Sequence, residues 1–199
     1  WLPSDKTNPT NWGTEVFRYG SYVLLKTDYV MDYDLHEDLA LLLTTSGSTG
    51  SAKMVRQSYK NIESNAAAIA QYLDIKQTDR PITTLPMSYT YGLSIINSHF
   101  LRGCSIIMNR KTFMEKGFWE MLKAEKASTF GGVPYVYEML KKLRFARMDL
   151  PSLRVLTQAG GKMNSDLAKE FATICADKGI RFFIMYGQTE ATARMSYLP

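Results

Sequence analysis

Apolar and polar positions alternate differently in different parts of the chain. From residue 38 onward, short apolar runs are separated by amphipathic segments, which is typical of strands and helices in turn. Residues 39–43 and 182–185 are apolar without a break, and such runs indicate strands buried on both faces. The runs predict strands near residues 39–45, 81–86, 104–108, 127–131, 153–158 and 180–185.

The segments between these runs have the periodicity of helices. Apolar residues recur at helical spacing between positions 62 and 73 and predict a helix over about residues 58–73. Asn164 and Gly179 are typical boundary residues for a helix that lies between them. Further helices are predicted near residues 91–101, 114–126 and 134–144.

Alternation of strands and helices predicts an α/β fold. We expect a mainly parallel sheet with right-handed crossovers, covered by helices. Ligands of such sheets bind at the carboxyl ends of the strands. Residues 1–37 contain a β-like run over 16–26 but no motif that can be interpreted. They are predicted to form an unassigned N-terminal segment, ahead of an α/β domain over residues 38–199.

Composition excludes several classes of protein. The 199 residues are 45% hydrophobic and 22% charged, close to the globular average, so the chain is not disordered. No apolar run exceeds five residues, far fewer than the ~20 that a bilayer-spanning helix needs, so no transmembrane segment is predicted. The chain starts without Met and without a signal pattern, which indicates a piece of a soluble, non-secreted protein.

Charge and cysteine content indicate which class of ligand and which cellular compartment to expect. The chain has 24 basic and 19 acidic residues spread along its length, and this mild excess favours anionic ligands in general over a nucleic-acid surface. Cys104 and Cys175 lie in separate apolar segments, which fits buried free thiols and a reducing, cytoplasmic location. His36 and His99 form no cluster with metal-ligand spacing.

A segment rich in hydroxyls and glycines follows the first strand predicted in the domain. Residues 44–53 read T-T-S-G-S-T-G-S-A-K. Glycines let the backbone approach an anion, hydroxyls add donors and Lys53 adds a positive charge, so the segment predicts a phosphate-binding loop; a hydroxyl-rich flexible turn is the alternative. Its spacing excludes the Walker motif, and G-x-G-x-x-G is absent. The candidate binding residues are Thr45, Ser46, Gly47, Ser48, Thr49, Gly50 and Lys53.

Residues 45–53 resemble the signature T-S-G-[ST]-T-G-x-P-K of the adenylate-forming superfamily, which includes acyl- and aryl-CoA synthetases, peptide-synthetase adenylation domains and firefly luciferase. Residues 186–190, Y-G-Q-T-E, match its Y-G-x-T-E signature, and residues 158–162 resemble the glycine pair over which the family lays adenine. Residues 86–92 resemble its P-x-x-H-x-x-G segment, and residues 132–134 its acyl-pocket turn. The resemblance covers the chain from about residue 38 to the end.

The resemblance implies roles for the matched residues. Lys53 would contact the β- and γ-phosphates, Thr189 the α-phosphate, and Glu190 would hold Mg²⁺; these three are the candidate catalytic residues. Without the resemblance, Thr189 and Glu190 would be taken as the opening of a helix and Tyr186 as core packing. Further nucleotide contacts are implied for Gly160, Gly161, Lys162, Tyr186, Gly187 and Gln188. The implied acyl pocket contains Tyr89, Gly92, Val133 and Pro134.

The chain departs from the family pattern at several points. Ala52 replaces a proline, which loosens the turn but removes no donor to phosphate. Tyr89 stands where many members carry a histidine, and tyrosine does not change its charge near neutral pH. The window around it holds only Ser88, Thr90 and Ser94, with no carboxylate for a substrate ammonium. A plain carboxylic acid is therefore predicted rather than an amino acid.

The chain ends nine residues after Glu190. Because the family's ribose-binding aspartate, hinge arginine and C-terminal lysine lie further on, we expect a truncated AMP-binding domain that is inactive by itself. The parent enzyme is expected to bind ATP and Mg²⁺, to adenylate a carboxylic acid such as a fatty acid, and to pass the acyl group to the thiol of CoA. Two alternatives stay open: a ligase that loads the phosphopantetheine of an acyl carrier protein, and a nucleotide-binding fragment without turnover.

Overall fold

The computed structural model describes residues 2–3, 13–28, 33–45 and 53–199. The chain divides into two compact units, Trp1–Glu37 and Asp38–Pro199. In the first unit, β1 (Leu2–Pro3) and β2 (Thr14–Tyr19) both pair antiparallel with β3 (Tyr22–Lys26). The β-like run predicted over residues 16–26 is thus a pair of strands.

The second unit begins with an antiparallel pair of strands, β4 (Leu39–Thr45) and β5 (Lys53–Ser58). The predicted strand at 39–45 is confirmed, but the expectation that it is buried on both faces is wrong, since Leu43 is buried whereas Leu42 is 44% exposed. It also lies outside the parallel sheet. An unbroken apolar run fits both a central strand and a two-stranded ribbon, so the sequence could not distinguish them.

A five-stranded sheet forms the centre of the second unit. Its parallel strands are β6 (Pro81–Ile82), β7 (Thr129–Gly132), β8 (Val155–Gln158) and β9 (Arg181–Tyr186). The last strand, β10 (Ser196–Leu198), pairs antiparallel with β9 at the edge. The predicted mainly parallel sheet is confirmed, and the four parallel strands present their carboxyl ends at one edge.

Two predicted strands of this sheet differ in the structure. The strand expected over 81–86 is limited to β6, and the run 104–108 forms only a bridge between Ile107 and Ile82. Cys104 and Ile107 are nevertheless buried, so the apolar character of this run reflects its place in the core rather than a continuous ladder.

The described part of the second unit contains five α-helices, which confirm all five helix predictions. They are α1 (Tyr59–Tyr72), α2 (Thr90–Phe100), α3 (Lys116–Ala124), α4 (Pro134–Lys142) and α5 (Ser165–Asp177). Asn164 caps α5 as predicted, because its Oδ1 accepts the backbone N–H groups of Asp166 and Leu167 at 2.9 and 3.2 Å. Gly179, just after α5, has a φ of +67°, a conformation that glycine adopts without strain.

Helices cover both faces of the sheet and form two hydrophobic clusters. Side chains of α3, α4 and α5 pack with Leu156 and Phe182, whereas those of α1 and α2 pack with Val155 and Phe183. Neighbouring residues of one strand therefore contribute to opposite faces, as expected for a central strand. The predicted α/β architecture is confirmed.

Both cysteines are buried and free, as predicted. Cys104 donates its thiol to the backbone oxygen of Lys76 at 3.1 Å. Burial raises the pKa of the Cys175 thiol to about 12, so this group is not a reactive thiolate. Within the described residues, no helix has both the length and the apolar character needed to cross a bilayer.

Asp79 organises the edge of the sheet where β6 begins. Its buried carboxylate accepts hydrogen bonds from Ser128 Oγ at 2.8 Å, from the backbone N–H of Lys76 at 2.8 Å and from both Nε (3.0 Å) and Nη2 of Arg154. Burial alone would raise the pKa of Asp79, but these hydrogen bonds outweigh it and lower the pKa below its ordinary value. Asp79 is therefore a charged group that stabilises the folded chain.

Replacing Asp79 with asparagine should lower the free energy of unfolding at pH 7 by about 3 kcal/mol, because Arg154 would lose its buried partner. A folded-state pKa below the unfolded value of about 3.9 stabilises the protein above that pH, and this contribution is lost as the pH falls through the folded-state pKa. Urea unfolding should show the difference from wild type shrinking below about pH 4. Asp74→Asn, which removes an exposed ion pair with Lys76, is the matched control and should leave the free energy of unfolding close to that of wild type. An equal loss in both variants at pH 7 would contradict this role of Asp79.

Candidate nucleotide and acid site

Two adjoining cavities lie at the carboxyl edge of the sheet. We call the first, of about 590 Å³, the threonine cavity, after four of its lining residues: Thr44, Thr45, Thr90 and Thr189. We call the second, of about 550 Å³, the glycine cavity, after three of its lining residues: Gly160, Gly161 and Gly187. Gly160 and Gly187 line both, so the cavities share a wall.

One wall of the threonine cavity is the end of the β4–β5 pair. Thr44 and Thr45 line the cavity, and Thr45 lies opposite Lys53 in the ladder. Lys53 is exposed. The remaining residues of the predicted phosphate loop lie outside the described residues, so their assignment stays a prediction: Ser46, Gly47, Ser48, Thr49 and Gly50.

The facing wall is the loop after β9, in which the 3-10 turn Thr189–Ala191 carries Thr189 and Glu190. Gln57, a buried residue of β5, donates its Nε2 to the backbone oxygen of Thr189 at 2.8 Å. Thr189 Oγ1 lies 3.0 Å from Thr90 Oγ1, so the two hydroxyls are hydrogen bonded. These contacts tie the loop to β5 and to α2. Thr45, the first residue of one predicted motif, therefore lines the same cavity as Thr189 and Glu190 of the other.

This loop has a backbone that requires glycine at its start. A Cβ on Gly187 would lie 1.5 Å from the backbone oxygen of Ala193, which no rearrangement of a side chain could relieve. Thr192 and Ala193 have φ values of +56° and +91°, in the left-handed region. The loop closes where the N–H of Met195 donates to the backbone oxygen of Tyr186 at 2.8 Å. Thr189 and Glu190 thus lie on a tightly closed loop.

Glu190 is the acidic residue that lines the threonine cavity. Its carboxylate is exposed and takes part in no ion pair with another described residue. No group of three or more His, Cys, Asp or Glu side chains among those residues could enclose a metal ion. A single carboxylate suits Mg²⁺, which keeps several water ligands and is commonly held by one carboxylate and by the phosphates of its nucleotide. The donor set therefore fits magnesium bound together with a nucleotide.

The glycine cavity is built on a rigid turn after β8. Gly160 has a φ of +80°, and a Cβ added to it would lie 2.2 Å from the hydroxyl oxygen of Tyr89. Gln158, which is buried, donates its Nε2 to the backbone oxygen of Gly161 at 3.0 Å and so holds the turn from beneath. Tyr186, 60% exposed, and Lys162 line the same cavity. Bare backbone and an exposed ring are suited to contact a flat heterocycle.

The predicted acyl-pocket residues occupy two different places. Tyr89 lines the threonine cavity, and burial raises the pKa of its hydroxyl. Gly92 lies in the first turn of α2, where a Cβ would come within 2.4 Å of the backbone oxygen of Pro86. Val133 and Pro134 pack behind the glycines instead, 3.2 Å from the Cβ positions of Gly160 and Gly161, and line neither cavity. Their assignment to an acyl pocket stays a prediction.

Sequence reasoning missed three residues of this site: Gln57, Tyr91 and Arg194. Tyr91 lines the threonine cavity and donates to Thr157, whose backbone oxygen lies 2.8 Å from its hydroxyl. Burial raises the pKa of Tyr91 to about 12, which keeps the ring neutral. Arg194 lines the same cavity, although its side chain is buried. The one sequence signal was an arginine four residues after Glu190, the last residue of the Y-G-x-T-E motif.

The geometry can be compared with known proteins. A family model described as AMP-binding enzyme matches residues 7–199. The chain belongs to the AMP-binding enzyme family. The resemblance inferred from the motifs is therefore confirmed.

Members of the AMP-binding family similar to this chain include two CoA ligases. Long-chain-fatty-acid–CoA ligase FadD13 of Mycobacterium tuberculosis is 27% identical over 156 residues, covering 78% of this chain and 30% of that protein. The 2-succinylbenzoate–CoA ligase of Listeria innocua is 27% identical over 175 residues, covering 88% of this chain and 36% of that protein. The chain thus spans about a third of the length of these relatives.

A solved structure of the AMP-binding family has the same fold. It is the o-succinylbenzoate CoA synthetase (MenE) of Bacillus subtilis, in complex with the acyl-adenylate intermediate OSB-AMP. It superposes with a TM-score of 0.69 and 25% identity, covering 79% of this chain and 31% of that one. The α/β fold predicted from the sequence is therefore that of an adenylate-forming enzyme.

Contact between Tyr89 and the glycine turn can be tested by substitution. Gly160→Ala should lower the free energy of unfolding by about 2 kcal/mol, because the methyl group would meet the Tyr89 hydroxyl and alanine is disfavoured at positive φ by about 1 kcal/mol. Gly179→Ala measures the cost of alanine at positive φ by itself, since Gly179 has a φ of +67° but nothing within 4 Å of a Cβ. Gly160→Ala should therefore lose more stability than Gly179→Ala. Adding Tyr89→Ala to Gly160→Ala should remove this extra loss, as measured by urea unfolding. Equal losses in Gly160→Ala and Gly179→Ala would show that Tyr89 does not constrain this turn.

Proposed function

We propose that this chain supplies the nucleotide-binding part of an acid–CoA ligase that forms an acyl-adenylate. One observation carries the proposal: the Thr45–Lys53 end of the β4–β5 pair and the Thr189–Glu190 turn meet beside a bare glycine turn. The names of the CoA-ligase relatives support the reaction class, and the acyl-adenylate complex of the synthetase from Bacillus subtilis supports the intermediate.

The nucleotide would extend over both cavities. Adenine would lie in the glycine cavity, between the Gly160–Gly161 backbone and the exposed ring of Tyr186. The phosphates would then cross the shared wall into the threonine cavity, where hydroxyl groups provide donors to anionic oxygen. Lys53, opposite Thr45 in the ladder, would add its ammonium from the end of the β4–β5 pair. Lys162, Gly187 and Gln188 line the two cavities and are placed for further contacts. The residues from Ser46 to Gly50 would complete the phosphate contacts.

Glu190 is the residue of this chain that would hold Mg²⁺. It is exposed, unpaired among the described residues and fixed on a closed loop, so it can bind a cation that the phosphates also bind. The metal would neutralise charge that develops on the phosphates.

The reaction requires little covalent chemistry from the protein. A carboxylate oxygen of the acid forms a bond to the α-phosphorus while the bond from phosphorus to the bridging oxygen breaks, and pyrophosphate leaves with the electron pair. Thr189 and Lys53 would hold the phosphates in line and stabilise their charge. In the second step, the thiol sulfur of CoA attacks the acyl carbon, AMP leaves and the thiol proton is released.

The acid would lie in the threonine cavity beside Tyr89 and Tyr91, next to the α-phosphate. The described residues that line this cavity include no carboxylate other than Glu190. A plain carboxylic acid therefore stays our proposal over an amino acid, whose ammonium group would lack a partner. Transfer to CoA rather than to a carrier-protein phosphopantetheine is supported by the CoA-ligase relatives. Acyl transfer assayed with each thiol distinguishes the two acceptors.

Lys53→Ala and Glu190→Gln should each lower the rate of acid-dependent pyrophosphate release from ATP by at least about 100-fold in the full-length parent, because charge stabilisation at the phosphates is lost. Both side chains are exposed, so circular dichroism and the melting temperature should stay close to those of wild type. Lys60→Ala and Glu63→Gln, on the exposed face of α1, are matched controls and should keep wild-type rates.

Two outcomes would contradict the proposal, and a third would contradict only the expectation that the 199-residue chain is inactive by itself. Wild-type rates in both site variants would refute the residue assignment. Absence of pyrophosphate release by the full-length protein with every acid of a chain-length series would refute the ligase activity and favour a nucleotide-binding protein without turnover. Release by the 199-residue chain alone would refute the expectation that this piece is inactive.

A further inference from the structure

Two threonine hydroxyls meet in the wall of the threonine cavity. Thr90 begins α2, Thr189 begins the 3-10 turn after β9, and their Oγ1 atoms lie 3.0 Å apart. Both residues line the cavity, but they differ in exposure, since Thr90 is only 8% exposed whereas Thr189 is half-buried. Thr189 is therefore the more accessible of the two to a ligand.

The hydroxyl of Thr90 is not used to stabilise α2. A hydroxyl at the start of a helix commonly caps free backbone N–H groups, yet the N-cap of α2 is Tyr89, which makes no side-chain cap hydrogen bond. Among the described residues, Thr189 is the hydrogen-bond partner of Thr90 Oγ1. A buried hydroxyl without a partner is unfavourable, so this contact satisfies Thr90 within the wall of the cavity.

The direction of this hydrogen bond decides what Thr189 can offer to a ligand. A hydroxyl has one proton to donate and two lone pairs that accept. If Thr189 donated to Thr90, its proton would be occupied and its oxygen would present only lone pairs to the cavity. If Thr90 donates instead, the proton of Thr189 is free for an anionic oxygen. Because ionised phosphate oxygens only accept, the second direction is the one that allows Thr189 to bind phosphate.

We propose that Thr90 is a positioning residue, which donates its proton to Thr189 and so directs the proton of Thr189 to the α-phosphate. The proposal rests on the proposed function, in which Thr189 holds the phosphates, and adds a residue to the same site. Gln57 fixes the backbone of Thr189 by donating to its carbonyl oxygen at 2.8 Å. Thr90 fixes the side chain, whose rotation about χ1 is otherwise free. A donor that is already oriented needs no reorganisation when charge develops on the phosphate.

Replacing Thr90 with valine removes the hydroxyl and keeps the shape of the side chain. In the full-length protein, Thr90→Val should lower kcat/KM for ATP in acid-dependent pyrophosphate release by about 3- to 10-fold, the range expected for a neutral hydrogen bond. Thr90→Ala, which also lacks the hydroxyl, should show the same loss and serves if valine disturbs the fold. Thr90→Ser should restore most of it. Thr173→Val, which removes an exposed hydroxyl on α5, is the matched control and should keep the wild-type value.

A double-mutant cycle shows whether Thr90 acts through Thr189. Thr189→Val should lower kcat/KM by about 10- to 100-fold, as expected for a hydrogen bond to a charged group, and adding Thr90→Val should cause little further loss. Losses that multiply in the double variant would show that Thr90 acts independently and would overturn the proposal. Wild-type kcat/KM in Thr90→Val beside a slow Thr189→Val would overturn it and leave the ligase intact. Wild-type kcat/KM in Thr189→Val would refute the assignment of Thr189 in the proposed function as well.

Binding measurements separate positioning from a structural effect, because AMP carries the α-phosphate and adenosine does not. AMP should raise the melting temperature of the wild-type protein more than adenosine does. Thr90→Val should reduce this difference while the stabilisation by adenosine stays unchanged. An equal loss of stabilisation by both ligands would show that the substitution disturbs the nucleotide site as a whole and would overturn the proposal, as would equal stabilisation of the wild-type protein by AMP and adenosine.

Discussion

The candidate site depends on one hydrogen bond between segments 132 residues apart in sequence, from Gln57 Nε2 to the backbone oxygen of Thr189. The β4–β5 pair is not part of the central sheet, so ladder hydrogen bonds do not fix it relative to β9. The Gln57 amide makes that link, and because Gln57 is buried, losing the acceptor would leave a polar group unsatisfied as well as breaking the bond. Thr45 and Glu190 reach the same cavity because this contact holds their segments together.

The two edges of the central sheet differ in how their charged groups are paired. Where the strands begin, Asp79 and Arg154 neutralise each other, and the carboxylate has every hydrogen bond it needs from the protein. Where they end, Glu190 is exposed and forms no ion pair with another described residue. A charge satisfied within the protein contributes to stability, whereas a charge left without a partner is available to a ligand.

Much of the fold could be predicted from the sequence, because local signals agreed with the tertiary structure. The five helices carried apolar faces, and α5 also had a capping Asn164 and a terminating Gly179. The strand at 39–45 was predicted, but its exposure and its place outside the parallel sheet were not, and residues 104–108 form only a bridge, because an apolar run does not indicate the partner strand. The motif segments identified Thr189, Glu190 and the glycine turn. Gln57, Tyr91 and Arg194 could not be found in this way, since their roles depend on neighbours that are distant in sequence.

Gly160 and Gly187 each border both cavities, so a base in one and an acid in the other would be separated by a thin layer of backbone. A single molecule that joins an adenosine to an acid through a linker resistant to hydrolysis could occupy both at once. Binding of its first half would raise the effective concentration of the second half, so the joined compound should bind more tightly than either piece. The arrangement therefore favours bisubstrate inhibitors, provided that the linker matches the short path around these two glycines.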